Sequence, residues 1–201
     1  MKYVLAIIIG YVLGNIAPSY FVGKKLRNID IREHGSGNAG ATNTWRVLGA
    51  RPGIFVFVID MLKGVIAVAI GNALGGETGA MLAGGAVILG HNYPVILGFK
   101  GGKGVATSIG VVLYLMPWVA VTCGIIGAII IRTTRYVSLA SICGMISAPI
   151  FAAIYGNEKK YVFMTLFIAI LGIYRHRSNI KRLLNGTESK VNLVGKRFFN
   201  K

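Results

Sequence analysis

Acidic residues are scarce in this chain. Six Asp and Glu stand against 22 Lys and Arg in 201 residues, a formal net charge of +16. The six acids are scattered and no Cys/His spacing suits a metal, so neither a metal site nor a cofactor is expected. The two cysteines, Cys123 and Cys143, lie inside apolar runs and read as small core residues. Charged residues of both signs make up only 14% of the chain, and the cations are spread between hydrophobic stretches rather than lined up on one soluble face. That distribution excludes a nucleic-acid-binding module. Tandem repeats, low-complexity tracts and a soluble second domain are also missing.

What is abundant is apolar. Hydrophobic residues make up 54% of the chain, with 28 glycines among the rest, and long apolar runs recur along its whole length. The class is therefore an all-α integral membrane protein with one membrane-embedded domain over 1–201. The first run, 3–22, is not followed by an A-x-A-like cleavage site, so it reads as a retained span rather than a signal peptide. Within it, Gly10-x-x-x-Gly14 suits close helix contact.

Further segments are expected at 53–74, 79–97, 105–116, 118–131, 137–155 and 161–174, followed by a cytoplasmic tail at 175–201. The stretch 105–131 is the ambiguous one. As one helix it would be roughly 40 Å long, more than a bilayer core of about 30 Å needs, and Pro117 interrupts it. Charge separates the two readings. Division at Pro117 makes seven segments and puts eighteen of the 22 Lys and Arg on one side. Leaving the stretch whole makes six segments and a near-even split. The positive-inside rule favours seven transmembrane segments, with the N-terminus outside and the C-terminus cytoplasmic. The cost is two half-length helices. At the start of the tail, Ile180, Leu183 and Leu184 share a face beside cations, which suits a helix lying in the interface.

With that topology every polar cluster falls on the cytoplasmic face, where a site is expected. In the first loop, Ser36, Asn38, Thr42 and Asn43 precede Arg46. They form either an anion pocket or an ordinary polar turn with Arg46 snorkelling, and 41–48 is a candidate short helix. The loop Gly101-Gly102-Lys103-Gly104 leaves backbone N–H groups bare before a helix start. It reads as a phosphate cradle or as a linker with topology-setting lysines. It is not a nucleotide P-loop, because Gly104 follows Lys103 where Ser or Thr is needed and Leu97 stands where glycine is needed. His91 reads first as a packed helix histidine, whereas His176, beside Asn179 at a membrane edge, is better placed for chemistry. Asp60 and Lys63 are i, i+3 neighbours inside an apolar run. They read as a structural ion pair holding the site, or as part of an ion pathway.

The sequence resembles the bacterial acyl-phosphate:glycerol-3-phosphate acyltransferase family. The resemblance spans nearly the whole chain. It is carried by Gly-Asn-Ile-Ala-Pro-Ser-Tyr at 14–20, Gly-Ser-Gly-Asn-Ala-Gly-Ala-Thr-Asn-Thr-Trp-Arg at 35–46 and Asp60-x-x-Lys63-Gly64. Gly90-His91-Asn92-Tyr93-Pro94, the run Gly101 to Thr107, Arg135-x-x-Ser138-Leu139-Ala140-Ser141 and the tail pattern from His176 to Glu188 complete it. The resemblance implies transfer of a fatty acyl group from acyl phosphate to position 1 of sn-glycerol 3-phosphate, giving lysophosphatidic acid and phosphate. It also implies a multi-pass protein of the bacterial cytoplasmic (inner) membrane, in contact with lipid and working without a cofactor. A functional monomer is expected, with an oligomer as the open alternative. The His-x4-Asp pattern of other glycerophosphate acyltransferases is absent, since no Asp stands five positions after His34, His91 or His176.

Carried over residue by residue, the catalytic set is Ser36, Arg46, Lys103, His176 and Asn179. The substrate-binding set is Asn38, Thr42, Asn43, His91, Gly101, Gly102, Gly104, Thr107, Ser141 and Glu188. Glycerol 3-phosphate is expected on Lys103 and its glycine loop. The acyl-phosphate head is expected on Ser36, Asn38, Asn43 and Arg46, with direct transfer in a ternary complex. The proton acceptor is His176 or a substrate phosphate. Without the resemblance, a transporter for an anionic metabolite and a structural lipid-binding protein remain open.

Overall fold

The computed structural model describes residues 1–191, and the described chain is helical throughout, without strands. Residues 192–201 of the expected tail, with Lys196, Arg197 and Lys201, lie outside the described residues.

The first apolar run is not one helix. Helix α1 (Lys2–Asn15) stops before an extended Ile16, and α2 (Pro18–Arg27) restarts at Pro18. Pro18 has no N–H and its ring would strike the carbonyl four residues back, so it opens a helix and cannot continue one. α2 then carries Lys24, Lys25 and Arg27 in its last turn and ends on Asn28 in the left-handed region. A short 3-10 turn (Ile31–Glu33) leads to α3 (Ala41–Leu48), which spans the helix expected in the first loop.

Two expected segments belong to one long element, α4 (Ala50–Asn92). Its backbone leaves the helix at Gly75 and Gly76, the latter at φ 61°, and the limbs 50–74 and 77–92 fold back on each other. The limbs meet where Gly71 and Gly79 touch, and a Cβ on either would overlap the other's carbonyl. α1 lies against the second limb through Gly10 and Gly14, whose missing side chains make room for the Ala83 and Val87 carbonyls. α4 ends at Asn92, short of the expected Leu97, because the residue before Pro94 is pushed out of the helical region. A 3-10 turn (Val95–Leu97) follows.

The chain does divide at Pro117. α5 (Val105–Leu115) ends at Met116, and Pro117 opens α6 (Pro117–Thr134). Then come α7 (Val137–Ile154), α8 (Lys159–Arg175) and the short α9 (Arg177–Leu184). Among the described residues, four stretches are long and apolar enough to cross a membrane: Lys2–Arg27, Ala50–Leu97, Pro117–Thr134 and Val137–Ile154. α5, with 11 residues, is about 16 Å long.

Val68, Val87, Val111, Val119 and Met164 fill the bundle interior. Its flanks expose Trp118, Phe163 and Ile170 at 67–75%. The two ends differ. At one, Gly75 packs on Tyr3, Glu77 pairs with Lys160, and Thr122 meets Tyr155. At the other, Arg32 donates to Leu97 O at 2.8 Å, Arg175 to Gly102 O at 2.7 Å, and Val191 N to Arg135 O at 2.9 Å. All the polar segments singled out in the sequence meet there.

Candidate active site

The first loop is held by its own side chains. Asn43, in the first turn of α3, is buried. Its Oδ1 accepts from Ser36 N at 2.8 Å and Ser36 Oγ at 3.1 Å. Its Nδ2 donates to Ile31 O and His34 O, both at 3.0 Å. That exhausts the amide. Asn43 therefore shapes the turn that presents Ser36.

The glycine loop is suspended from three sides. Gly102 N donates to His91 O at 3.1 Å, and a Cβ on Gly102 would overlap His91 Nε2, so only glycine fits there. Arg175 donates to Gly102 O at 2.7 Å and Gly101 O at 3.3 Å, with its guanidinium 4.9 Å from the Tyr93 ring centroid. Gly104, at φ 80°, starts α5. Lys103 is left with its Nζ on Asn179 Oδ1. Burial, with Arg182 close by, brings the Lys103 ammonium down to about 8.

The third wall is the tail. His176 lies between α8 and α9, with its Nδ1 2.7 Å from Gly172 O. A carbonyl only accepts, so Nδ1 carries the proton and Nε2 the lone pair. Burial, with Lys103 nearby, lowers its imidazole to about 4. Beyond α9, the chain turns at Gly186 and lays Glu188 into the site. The Glu188 carboxylate accepts from Arg182 Nε at 2.6 Å, Asn179 Nδ2 at 2.9 Å and Ser138 Oγ at 3.0 Å, with Arg46 Nη2 at 3.8 Å. Burial pushes this carboxyl up, but those hydrogen bonds outweigh it and hold it below the usual range. Arg46 pins the segment further by donating to Ser189 O at 2.9 Å.

The fourth wall is α4. Asp60 Oδ1 lies 2.7 Å from Lys63 Nζ, so the expected ion pair is present. His91 Nδ1 joins it, 2.8 Å from Lys63 Nζ.

Together these walls enclose a chamber of about 700 Å³, its open mouth included. Its polar lining holds Ser36, Asn38, Thr42, Asn43, Arg46, Asp60, His91, Lys103, Ser138, Ser141, His176, Asn179 and Glu188. Phe57, Val105, Ala106 and Val137 form an apolar side. An outer vestibule shares Ser36, Asn38 and Lys103 and adds Lys100, Gly101, Arg175, Arg177 and Arg182, with no carboxylate on its walls. Thr107 lines neither cavity. It is buried behind the wall, where its carbonyl packs on Gly64. Gly102 and Gly104 act through the loop backbone and line neither space. Glu188, expected to bind substrate, is occupied by protein donors and organises its neighbours. Ser138, Arg175 and Arg182 were missing from the expected set. Ser138 and Arg182 stood inside the quoted motifs, whereas nothing local marks Arg175. No group of three or more His, Cys, Asp or Glu suited to a metal comes together among the described residues.

A glycerol-3-phosphate acyltransferase family model matches residues 4–186. The chain belongs to the glycerol-3-phosphate acyltransferase family. Within the family it is 53% identical to the glycerol-3-phosphate acyltransferase of Thermoanaerobacter sp. (strain X514) over 191 residues, 95% of this chain and 96% of that one. It is 48% identical to the Halalkalibacterium halodurans enzyme of the same name, covering 93% and 94% of the two chains. A crystal structure of PlsY (YgiH), an integral membrane glycerol 3-phosphate acyltransferase in its glycerol 3-phosphate form, superposes with a TM-score of 0.89. The two are 43% identical, over 96% of each chain. The lysophosphatidic acid form of that protein superposes with a TM-score of 0.88. Family membership, the long apolar helices and the exposed apolar flanks make this chain a multi-pass membrane enzyme.

Proposed function

We propose that the protein transfers a fatty acyl group from acyl phosphate to the sn-1 hydroxyl of glycerol 3-phosphate, forming lysophosphatidic acid and inorganic phosphate. The observation that carries this reading is a single chamber in which Ser36, Arg46 and Lys103 face an apolar side of Phe57, Val105 and Val137. A donor with an anionic head and a hydrocarbon tail needs both surfaces. Its head is assigned to Ser36, Asn38 and Arg46, and its tail leaves past Phe57 and Val137 towards lipid. Glycerol 3-phosphate enters through the cationic vestibule and binds Lys103 and the glycine loop. Deeper in the bundle, Val68, Val87, Val111 and Val119 fill the interior, which favours an enzyme over a transporter.

In the reaction, the glycerol oxygen attacks the acyl carbonyl carbon. The bond from that carbon to the phosphate oxygen breaks, and phosphate departs with the electron pair. Arg46 and Lys103 stabilise the charge that develops on it. An acyl-enzyme is unnecessary because the mixed anhydride is already activated. Ser36 is also a poor nucleophile, since its Oγ bonds to the Asn43 amide and not to a base. The hydroxyl proton goes to a substrate phosphate. A phosphate monoester has its second pKa near 6, which makes it a stronger base than His176 at about 4. His176 stays neutral and positions the reactants.

The enzyme is placed in the bacterial cytoplasmic membrane with seven membrane segments, its N-terminus outside and its site at the cytoplasmic face. The charge asymmetry and the convergence of the polar segments at one end support this topology. Purified protein given acyl phosphate and glycerol 3-phosphate should release phosphate and form lysophosphatidic acid. Product from acyl-CoA but none from acyl phosphate would sink the donor assignment. Cysteines placed at Glu77 and Lys100 should label from opposite sides of sealed vesicles, and labelling from the same side would refute the topology.

A further inference from the structure

Lys63 is buried on α4, and its ammonium reaches four acceptors. Ile16 O and Asp60 Oδ1 lie at 2.7 Å, His91 Nδ1 at 2.8 Å, and Gly14 O at 3.2 Å. An ammonium has three protons and no lone pair, so it only donates. The proton aimed at His91 Nδ1 needs a lone pair to receive it. A neutral imidazole with a bare Nδ1 carries its own proton on Nε2. An imidazolium would instead turn an N–H against the ammonium at 2.8 Å, like charges in an apolar interior. Asp60 Oδ1, 2.7 Å from Nζ and 3.2 Å from Nδ1, has no hydrogen-bond partner among the described residues and holds the ammonium by charge alone, so the three Lys63 protons go to Gly14 O, Ile16 O and His91 Nδ1.

The far edge of the ring meets the glycine loop. Gly102 lies so close to Nε2 that a Cβ there would overlap it, and His91 lines the chamber together with Lys103. Oxygens of a phosphate dianion only accept. A bare Nε2 would repel them, whereas an Nε2–H adds a donor beside Lys103. We infer that Lys63 is a positioning residue for the substrate phosphate, because it fixes His91 as an Nε2–H donor towards the phosphate held at the Lys103 loop. His176 is set the opposite way, through its Gly172 contact at 2.7 Å, and keeps its Nε2 bare. Two histidines on one chamber thus have opposite polarity, each imposed by a neighbour. The proton position stands on geometry alone, while the phosphate as its target rests on the function proposed above.

Nitrogen NMR of the full-length protein in lipid nanodiscs, with ¹⁵N-labelled histidine, reads the tautomer directly. The His91 signals are assigned by their loss in His91→Gln. The expected result is a protonated Nε2 and a bare Nδ1. A proton on Nδ1 in the wild-type protein overturns the inference whether or not the protein is active. Failure of the acyltransferase reading shows separately, as no product from wild-type protein. In Lys63→Met the His91 proton should move to Nδ1, towards Asp60, and KM for glycerol 3-phosphate should rise about tenfold with a smaller change in kcat. Lys63→Gln keeps a donor and should retain the Nε2–H form. Adding His91→Gln to Lys63→Met supplies an amide donor that has no tautomer and should recover most of the lost affinity. An unchanged tautomer and an unchanged KM in Lys63→Met would overturn the inference. If that variant misfolds, the wild-type spectrum alone decides.

Discussion

Two of the chamber's walls are built on different principles. Asp60, Lys63 and His91 sit inside the apolar limbs of α4, where helical spacing and a glycine hairpin bring them together. His176, Asn179 and Glu188 hang on the short α9 and the segment after it, and hydrogen bonds to Ser138, Arg46 and Arg135 tie that segment down. In the first wall a missing partner strands a charge in apolar surroundings, and the fold bears the cost. In the second, a missing partner loosens a strap at the polar end, and geometry bears it. The same residue types therefore contribute to stability in one wall and to alignment in the other.

The sharpest test acts where the walls face each other. Lys103→Ala removes the cation between them and should lower kcat/KM by about 10²–10³-fold, as loss of a preorganised charge at a reacting phosphate does. Its melting temperature should stay near that of the wild type. Next, Asp60→Asn should destabilise the protein by about 3–5 kcal/mol, because Lys63 is left as a buried, uncompensated charge. Thermal unfolding in detergent reads that loss. Glu188→Gln should reverse the pattern, with kcat/KM down about tenfold or more and the melting temperature little changed. If Asp60→Asn and Glu188→Gln lose stability equally, the distinction between the walls fails.

The pH profile separates the walls without a mutation. Lys103 is charged below about 8 and neutral above it. The ammonium is the form that binds phosphate, so kcat/KM for glycerol 3-phosphate should fall above that pH, approaching tenfold per unit. Lys103→Arg should remove this alkaline limb. His176, near 4, is already neutral over the working range and adds no acid limb of its own. An acid limb near pH 6 should instead follow the substrate phosphate and persist in His176→Asn. The smallest effect is expected from Ser138→Ala, which removes one of several donors to Glu188 and should cost a few-fold in kcat/KM.

Much of this arrangement is legible along the chain. The Asp60–Lys63 pair follows from i, i+3 spacing, the α5–α6 division from Pro117, and α3 from the pattern at 41–48. The break in the first run was missed because its apolar composition hides Pro18, whose freed carbonyls are satisfied by a lysine nearly fifty residues away. Asn43 and Glu188 look like ligands in sequence because their side chains suit substrate. Asn43 spends its whole amide on protein partners and Glu188 accepts three hydrogen bonds from them, which no local pattern reveals. Arg175 escaped notice for a related reason, since its targets are two backbone carbonyls of the glycine loop.

The sequence by itself determined the helical membrane class, the helix division at Pro117, and the residue types at the polar end. Apolar run length, proline and charge asymmetry act locally or additively along a chain. Only the tertiary structure decided which polar groups remain free for substrate and which are spent on the protein. It also decided on which nitrogen each chamber histidine carries its proton. Those properties depend on donors and acceptors supplied by distant segments, and a hydrogen bond is settled by who stands opposite.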